Sequence, residues 1–210
     1  MIPMKRPVAV LSFALAVAPI LAQSPAGWMV RADRSQSATD PDAAGSIKFV
    51  KEGAGFHCTN PQAAVYWNPA NKASGSYTLK GTFTLMKPSG HTNYYGLVFG
   101  GSGLEGADQT YVYFMVAQDG TWLVKSRKGA DTPSITAKTP SDLVKTPDST
   151  GKSVNALEVR VGSDKVDFLV NGKVVHSEPK SGALAQTDGI YGIRINHLLE
   201  VQVDNFGVSK

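Results

Sequence analysis

Residues 154–177 read VNALEVRVGSDKVDFLVNGKVVHS. Leu157, Val159 and Val161 alternate with Glu158 and Arg160. Val166, Phe168 and Val170 alternate with Lys165 and Asp167. A side-chain period of two puts each apolar trio on one face of a strand and the charges on the other. Gly162-Ser163 and Asn171-Gly172 interrupt the alternation, and each dipeptide suits the positive φ of a two-residue hairpin. The stretch therefore predicts three antiparallel strands, the first two of them clearly greasy on one side and wet on the other.

The same grammar runs outward in both directions. Strands are predicted at 47–51, 55–59, 64–67, 76–86, 93–99, 110–118, 121–127, 154–161, 164–170, 173–177, 189–195 and 198–206, with a third hairpin at Asp119-Gly120. In 76–86, Tyr77, Leu79, Phe83 and Leu85 share a face opposite Thr78, Lys80, Thr82 and Thr84. Residues 33–45 and the Thr-, Pro- and Ser-rich segment 129–153 read as loops, the second with room for one short strand. Nothing reads as a long helix. So many strands in 210 residues cannot lie in one open sheet, so two sheets pack face to face and bury their apolar sides. Burying one such side chain contributes about 1.5–3 kcal/mol, so the stripes outweigh any single surface feature. The predicted fold is all-β, a two-sheet antiparallel jelly-roll sandwich forming one domain over 23–210.

Lys5 and Arg6 precede an apolar run at 8–18, followed by Pro19 and then Leu21-Ala22. This layout predicts a secretory signal peptide over 1–22, cut after Ala22, and a mature chain exported to the periplasm or beyond. The run is shorter than the ~20 residues that a membrane span needs. The formal charge of +4 includes Lys5 and Arg6, and no basic run follows, which argues against nucleic acid and anionic membrane as partners. Cys58 is the one cysteine, so no internal disulfide forms, and a strand would point it away from its neighbour His57. His57, His91, His176 and His197 are scattered without ligand spacing, so no zinc site is expected.

Five segments, in order, carry a resemblance: SGSYTLKGTFTL, NYYGLVFGG, TYVYFMVAQDGTWLVKSRKG, NALEVRVGSDKVDFLVNGKVVHS and DGIYGIRINHLLEVQVDNFGV. Over residues 28–209 the chain resembles the concanavalin A-like lectin/glucanase superfamily. Within it the likeness is to bacterial laminin-G-like jelly rolls, including the 3-keto-disaccharide hydrolase-like domains of exported proteins. The resemblance implies the sandwich and leaves activity open, because this fold carries hydrolases, lectins and adhesion modules. In relatives with a structural calcium, an aspartate on the final strand can be a ligand, which implies Asp204. Calcium takes 6–8 oxygen ligands, and the sequence has no acidic cluster to supply the others. No other cofactor is expected.

Glucanases of the superfamily carry a Glu-x-Asp-x-Glu run on one strand. Here the run is Glu200, Gln202 and Asp204. Gln cannot tune its neighbours' pKa values by sharing a proton or bearing charge. The outer pair lies ~13 Å apart along a regular strand, against the ~5–5.5 Å of retaining glycosidases. The run reads as a solvated face, and no catalytic residue is assigned. A better candidate is a patch on the concave sheet. With Val112, Phe114, Val116, Tyr95, Leu97, Phe99, Ile193 and Ile195 turned to the core, Tyr94, Tyr111, Tyr113, Arg194 and Asn196 share the other face, joined by Lys80 and Thr82 from a fourth strand. Tyrosine rings with directed Arg and Asn donors suit a glycan. The expected function is an exported carbohydrate-binding or cell-envelope recognition module. The alternatives are a glycoside-acting hydrolase and a protein-binding adhesion domain.

Overall fold

The computed structural model describes residues 24–210, and the leader expected over 1–22 lies outside the described residues. The alternating segments become fourteen strands: β1 (Met29–Asp33), β2 (Lys48–Glu52), β3 (Gly55–Asn60), β4 (Ala63–Ala73), β5 (Tyr77–Lys87), β6 (Tyr94–Ser102), β7 (Thr110–Ala117), β8 (Thr121–Lys128), β9 (Thr139–Pro140), β10 (Ser153–Val161), β11 (Lys165–Val170), β12 (Lys173–Pro179), β13 (Gly189–Ile195) and β14 (Leu199–Ser209). Among the described residues a single 3-10 turn spans Gly182–Leu184. Sheet I has the order β1-β4-β13-β6-β7-β8-β9. Sheet II has the order β12-β11-β10-β5-β14-β3-β2. Two seven-stranded antiparallel layers bear out the predicted sandwich.

The predicted stripes meet between the layers. Sheet I sends in Tyr66, Ile193, Ile195, Tyr95, Leu97, Phe99, Val112, Phe114, Val116, Trp122 and Val124. Sheet II answers with Phe49, Cys58, Tyr77, Leu79, Phe83, Leu85, Leu157, Val159, Val161, Val166, Phe168, Val170, Val201 and Val203. Aromatic contacts cross the seam, with Phe114 and Phe168 centroids 5.2 Å apart. Trp28 sits at the rim against Phe49, Phe56 and Phe206.

Of the two strands outside the predicted spans, one escaped the sequence reading and one was allowed for. β1 is a five-residue edge strand with one β-branched residue, fixed by its register with β4 from Met29↔Trp67 to Asp33↔Ala63. β9 has two residues, pairs only with β8, and is the short strand allowed for within 129–153. The turns also differ in detail. Asn171 and Gly172 hold φ of 50° and 80°, as a type I′ hairpin requires. The 119–120 turn instead uses three residues, with only Gly120 at positive φ and its N–H donating to the Ala117 carbonyl at 3.2 Å. The turn at Gly162 is also three residues long, and Gly162 keeps a negative φ, because its N–H bonds the Lys165 carbonyl at 2.9 Å without a left-handed step.

Several connections gather at one end of the sandwich. β1 finishes there opposite the start of β4, β13 finishes opposite both β4 and β6, and the Asn196 N–H donates to the Tyr94 carbonyl at 2.9 Å. The 34–47, 88–93 and 196–198 connections therefore lie together.

Candidate functional site

The face of sheet I turned away from the core carries a second apolar cluster: Val65 and Trp67 from β4, Tyr94 and Val98 from β6, and Tyr111, Tyr113, Met115 and Ala117 from β7. Register puts Arg194 of β13 beside Val65 and Gly96, Tyr113 beside Val98 and Lys125, and Tyr111 beside Arg127. A Cβ on Gly96 would stand 2.1 Å from the Phe114 carbonyl oxygen, so this position admits no side chain. Bare backbone at 96 lets the Arg194 side chain cross β6 to β7. There its Nη1 donates to the Tyr111 hydroxyl at 2.9 Å, and its guanidinium lies 5.3 Å from the centre of the Tyr113 ring.

Charge concentrates at this point. Arg194 Nη1 also donates to Asp33 Oδ2. Arg127 Nη1 lies 3.8 Å from the same oxygen, and Arg31 Nε lies 4.0 Å from Oδ1. Three guanidiniums thus surround one nearly buried carboxylate. Arg127 spends Nε on the Gly129 carbonyl at 2.6 Å, Arg31 donates to the Gly106 carbonyl, and Arg194 Nε is buried without a partner. Burial works against the charge of Arg194, and its neighbours Tyr111 and Asp33 outweigh that penalty, so it stays a cation. Burial pushes the Tyr111 and Tyr113 hydroxyls up, against the opposing pull of Arg194, so both remain protonated donors.

Of the residues expected to share a patch, Tyr94, Tyr111, Tyr113 and Arg194 do come together on this face. Asn196 follows at the end of β13, with its side-chain Oδ1 buried and unpartnered. Two expectations are corrected. Lys80 and Thr82 stand on β5 in sheet II, because β5 pairs with β10 and β14 and never with a strand of sheet I. They line a separate shallow groove with Glu158, Asn205 and Phe206. The tyrosines are not an open hollow either. Tyr94, Tyr111 and Tyr113 are 8%, 2% and 4% exposed, since Leu104 from the 103–108 turn packs into their cluster and Lys138 lies over Tyr94. What remains accessible is the charged margin, where the Arg31 and Arg127 side chains keep 26% and 16% of their surface. Arg31, Asp33 and Arg127 were missed as site residues. Their only sequence signal was the alternation Arg31-x-Asp33 and Lys125-x-Arg127, which matches any wet strand face.

Asp204 stands on β14 next to Gln202, whose Nε2 donates to it at 3.4 Å. Among the described residues it belongs to no convergent set of three His, Cys, Asp or Glu ligand atoms. Glu200 is engaged by His57, whose other nitrogen meets Glu52, both at 2.9 Å. His57 and Cys58 face opposite sides of β3, as expected, with Cys58 fully buried. The expectation of scattered histidines is corrected at the end of the sandwich. His91 and His197, 106 residues apart, place their Nε2 atoms 3.3 Å from each other beside Asp40.

No family model and no curated protein matches the chain. Solved structures do. The carbohydrate binding module CBM66 from Bacillus subtilis superposes with a TM-score of 0.62 at 11% identity, over 88% of this chain and 96% of that one. The carbohydrate recognition domain of Emp46p gives 0.58 at 13% identity over 87% of each chain. Alginate lyase A1-II′ gives 0.53 at 13% identity over 87% of this chain and 94% of that one. At such identities the likeness is one of architecture: this chain has the concanavalin A-like jelly-roll fold.

Proposed function

We propose that the chain is a carbohydrate-recognition domain and that it takes saccharides bearing a carboxylate or similar anionic group at the charged margin of sheet I. The observation that carries this reading is the imbalance around Asp33: three guanidiniums, of Arg31, Arg127 and Arg194, on one carboxylate. A cluster of like charges that is partly desolvated is costly unless it is matched. A planar carboxylate fits a guanidinium in two-pronged fashion, and Arg is suited to such recognition. Tyr111 and Tyr113 beneath it act as positioning residues that fix the Arg194 fork. The three solved neighbours each carry a carbohydrate role in their names, which supports a saccharide over other anions. The basic start and apolar run at residues 5–22 support an exported protein acting at the cell envelope.

Titration calorimetry tests this with paired oligosaccharides that differ only in bearing a carboxylate or a hydroxymethyl group. The expected result is binding of the acidic member, weakened at least about tenfold in Arg127→Ala and Arg31→Ala and reduced by salt. Equal binding of both members, or of neither, rejects the reading. N-terminal sequencing of the protein from the periplasm or medium tests export, with Gln23 the expected first residue.

A further inference from the structure

We propose that Asp40, His91 and His197 form a binding site for a divalent transition ion of the zinc type. The three residues come from three different connections, 34–47, 88–93 and 196–198, which the topology brings to one end of the sandwich. His91 Nε2 lies 2.8 Å from Asp40 Oδ1, His197 Nε2 lies 3.2 Å from the same oxygen, and the two Nε2 atoms are 3.3 Å apart. Ligands held ~2.0–2.1 Å from a tetrahedral zinc stand ~3.3 Å from one another. The triangle thus has nearly the edge lengths of one face of that tetrahedron, before any adjustment.

Proton bookkeeping points the same way. His197 Nδ1 lies 3.0 Å from Asp42 Oδ1, and a carboxylate only accepts, so Nδ1 carries a proton and Nε2 is the nitrogen left to bind an ion. His91 Nε2 lies 3.0 Å from Asn93 Nδ2 and 2.8 Å from Asp40 Oδ1, so either a proton or a metal ion sits between this ring and the carboxylate. Asp40 Oδ1 is an acceptor in either case. With both Nε2 atoms free of protons, three lone pairs face one point, and a metal ion uses all three at once.

The support behind the ligands is built as well. The Asp42 carboxylate that orients His197 is itself held by the Ser35 N–H at 2.9 Å, and the Ser35 hydroxyl donates to the Asp40 carbonyl at 2.6 Å. A carboxylate on the far nitrogen of a ligating histidine fixes its tautomer and raises its basicity. Two imidazoles and one carboxylate favour zinc and its first-row neighbours over calcium, which takes oxygen ligands. The side chain of His197 is 7% exposed, while those of His91 and Asp40 are 43% and 47% exposed. The ion is therefore anchored on the buried ring and reached from solvent, with a fourth position for water or a ligand group. Bound there, it pins the 34–47 connection, which begins next to Asp33.

The test uses the untagged full chain, dialysed against Zn²⁺ and then buffer, with metal quantified by mass spectrometry. The expected result is about one zinc per chain, a tetrahedral visible spectrum with Co²⁺, and a rise in melting temperature on adding Zn²⁺. His91→Ala and Asp40→Asn, both at exposed side chains, are expected to lose that zinc while keeping the wild-type circular dichroism spectrum. Asp42→Asn is expected to weaken binding about 10–100-fold, and His176→Ala to leave it unchanged. Nitrogen-15 spectra of the wild-type imidazoles give a readout independent of the variants, with both Nε2 resonances moving on zinc addition. Zinc retained at equal affinity by both exposed-site variants, or absent from wild type with unmoved Nε2 resonances, overturns the proposal.

Discussion

The Arg194 guanidinium lies over the Tyr113 ring, 5.3 Å from its centroid, on the side of sheet I away from the core. A cation against a ring face is favourable, and more so where water is scarce. This contact and the Tyr111 hydroxyl bond hold the fork of Arg194 on β13 against β7, two strands away. The outer face of the sheet is thus organised by one side chain that crosses a strand, and the crossing depends on Gly96.

Removing Arg194 should be costly in a way that removing a surface arginine is not. It strips Asp33 of its closest partner, and Asp33 is nearly buried. Losing one member of a buried pair costs about 3–5 kcal/mol where the other charge is left unmatched, and Arg127 and Arg31, 3.8 and 4.0 Å from Asp33, offset part of that loss here. Arg194→Met and Asp33→Asn are each expected to lower stability in urea melts. The double variant should lose less than the sum of the two, since each removes the other's partner. Strictly additive losses would show that the two groups do not sense each other.

How much of this was legible in advance differs between the two faces of one sheet. Inner positions such as Leu97, Phe114 and Ile193 are set by alternation alone, since a period of two fixes which residues share a face. The alternation also brought Tyr94, Tyr111, Tyr113 and Arg194 to one outer face. It could not order the strands. Lys80 was assigned to the wrong sheet because β5 has the same wet stripe as a strand of either layer. Asp33 and Arg31 stayed hidden because β1 is an edge strand fixed by pairing with β4, with little propensity of its own. His91 and His197 meet through loop placement, and local spacing carries no signal of a contact across 106 residues.

Gly96 should tolerate no larger residue. A methyl at this position would lie 2.1 Å from the Phe114 carbonyl oxygen and 2.8 Å from the Met115 Cα, both backbone atoms that cannot swing aside. Overpacking of this kind costs about 1–3 kcal/mol. Gly96→Ala is expected to lower the unfolding free energy by that amount and the midpoint with it, with Gly90→Ala, which has open space around it, as the neutral control. Equal midpoints for the two variants would mean that β6 and β7 move apart freely.

The Cys58 thiol should be silent in the folded protein. Its side chain is fully buried on the inner face of β3, and burial pushes its pKa well above the ordinary thiol range. The thiolate is the reactive form, so both access and ionisation oppose modification. Native protein at neutral pH is expected to resist a thiol reagent and to react with one equivalent once unfolded in guanidinium. Prompt labelling of the native chain would show that β2 and β3 open readily at the edge of sheet II.

Acid should weaken the fold partly through Asp119, in the turn between β7 and β8. Burial works against its charge, yet hydrogen bonds from Lys138, Thr121 and Thr92 outweigh that and hold the carboxyl at about 2, below its ordinary 3.8. Because the folded value is the lower one, the unfolded chain takes up the proton first as pH falls. Stability from this group is therefore complete above about pH 5 and is lost between about pH 4 and pH 2. Asp119→Asn removes both the charge and its titration. The variant is expected to be less stable than wild type at neutral pH, with a gap that narrows steadily as pH drops through that window. Asp148 and Asp167, also held low by hydrogen bonds, keep some acid dependence in both proteins, so the gap and not the absolute slope is the measure. Urea midpoints taken from pH 2 to 7 decide the matter, and a gap that stays constant across the window would show that the turn does not bind its carboxylate more tightly than the unfolded chain does.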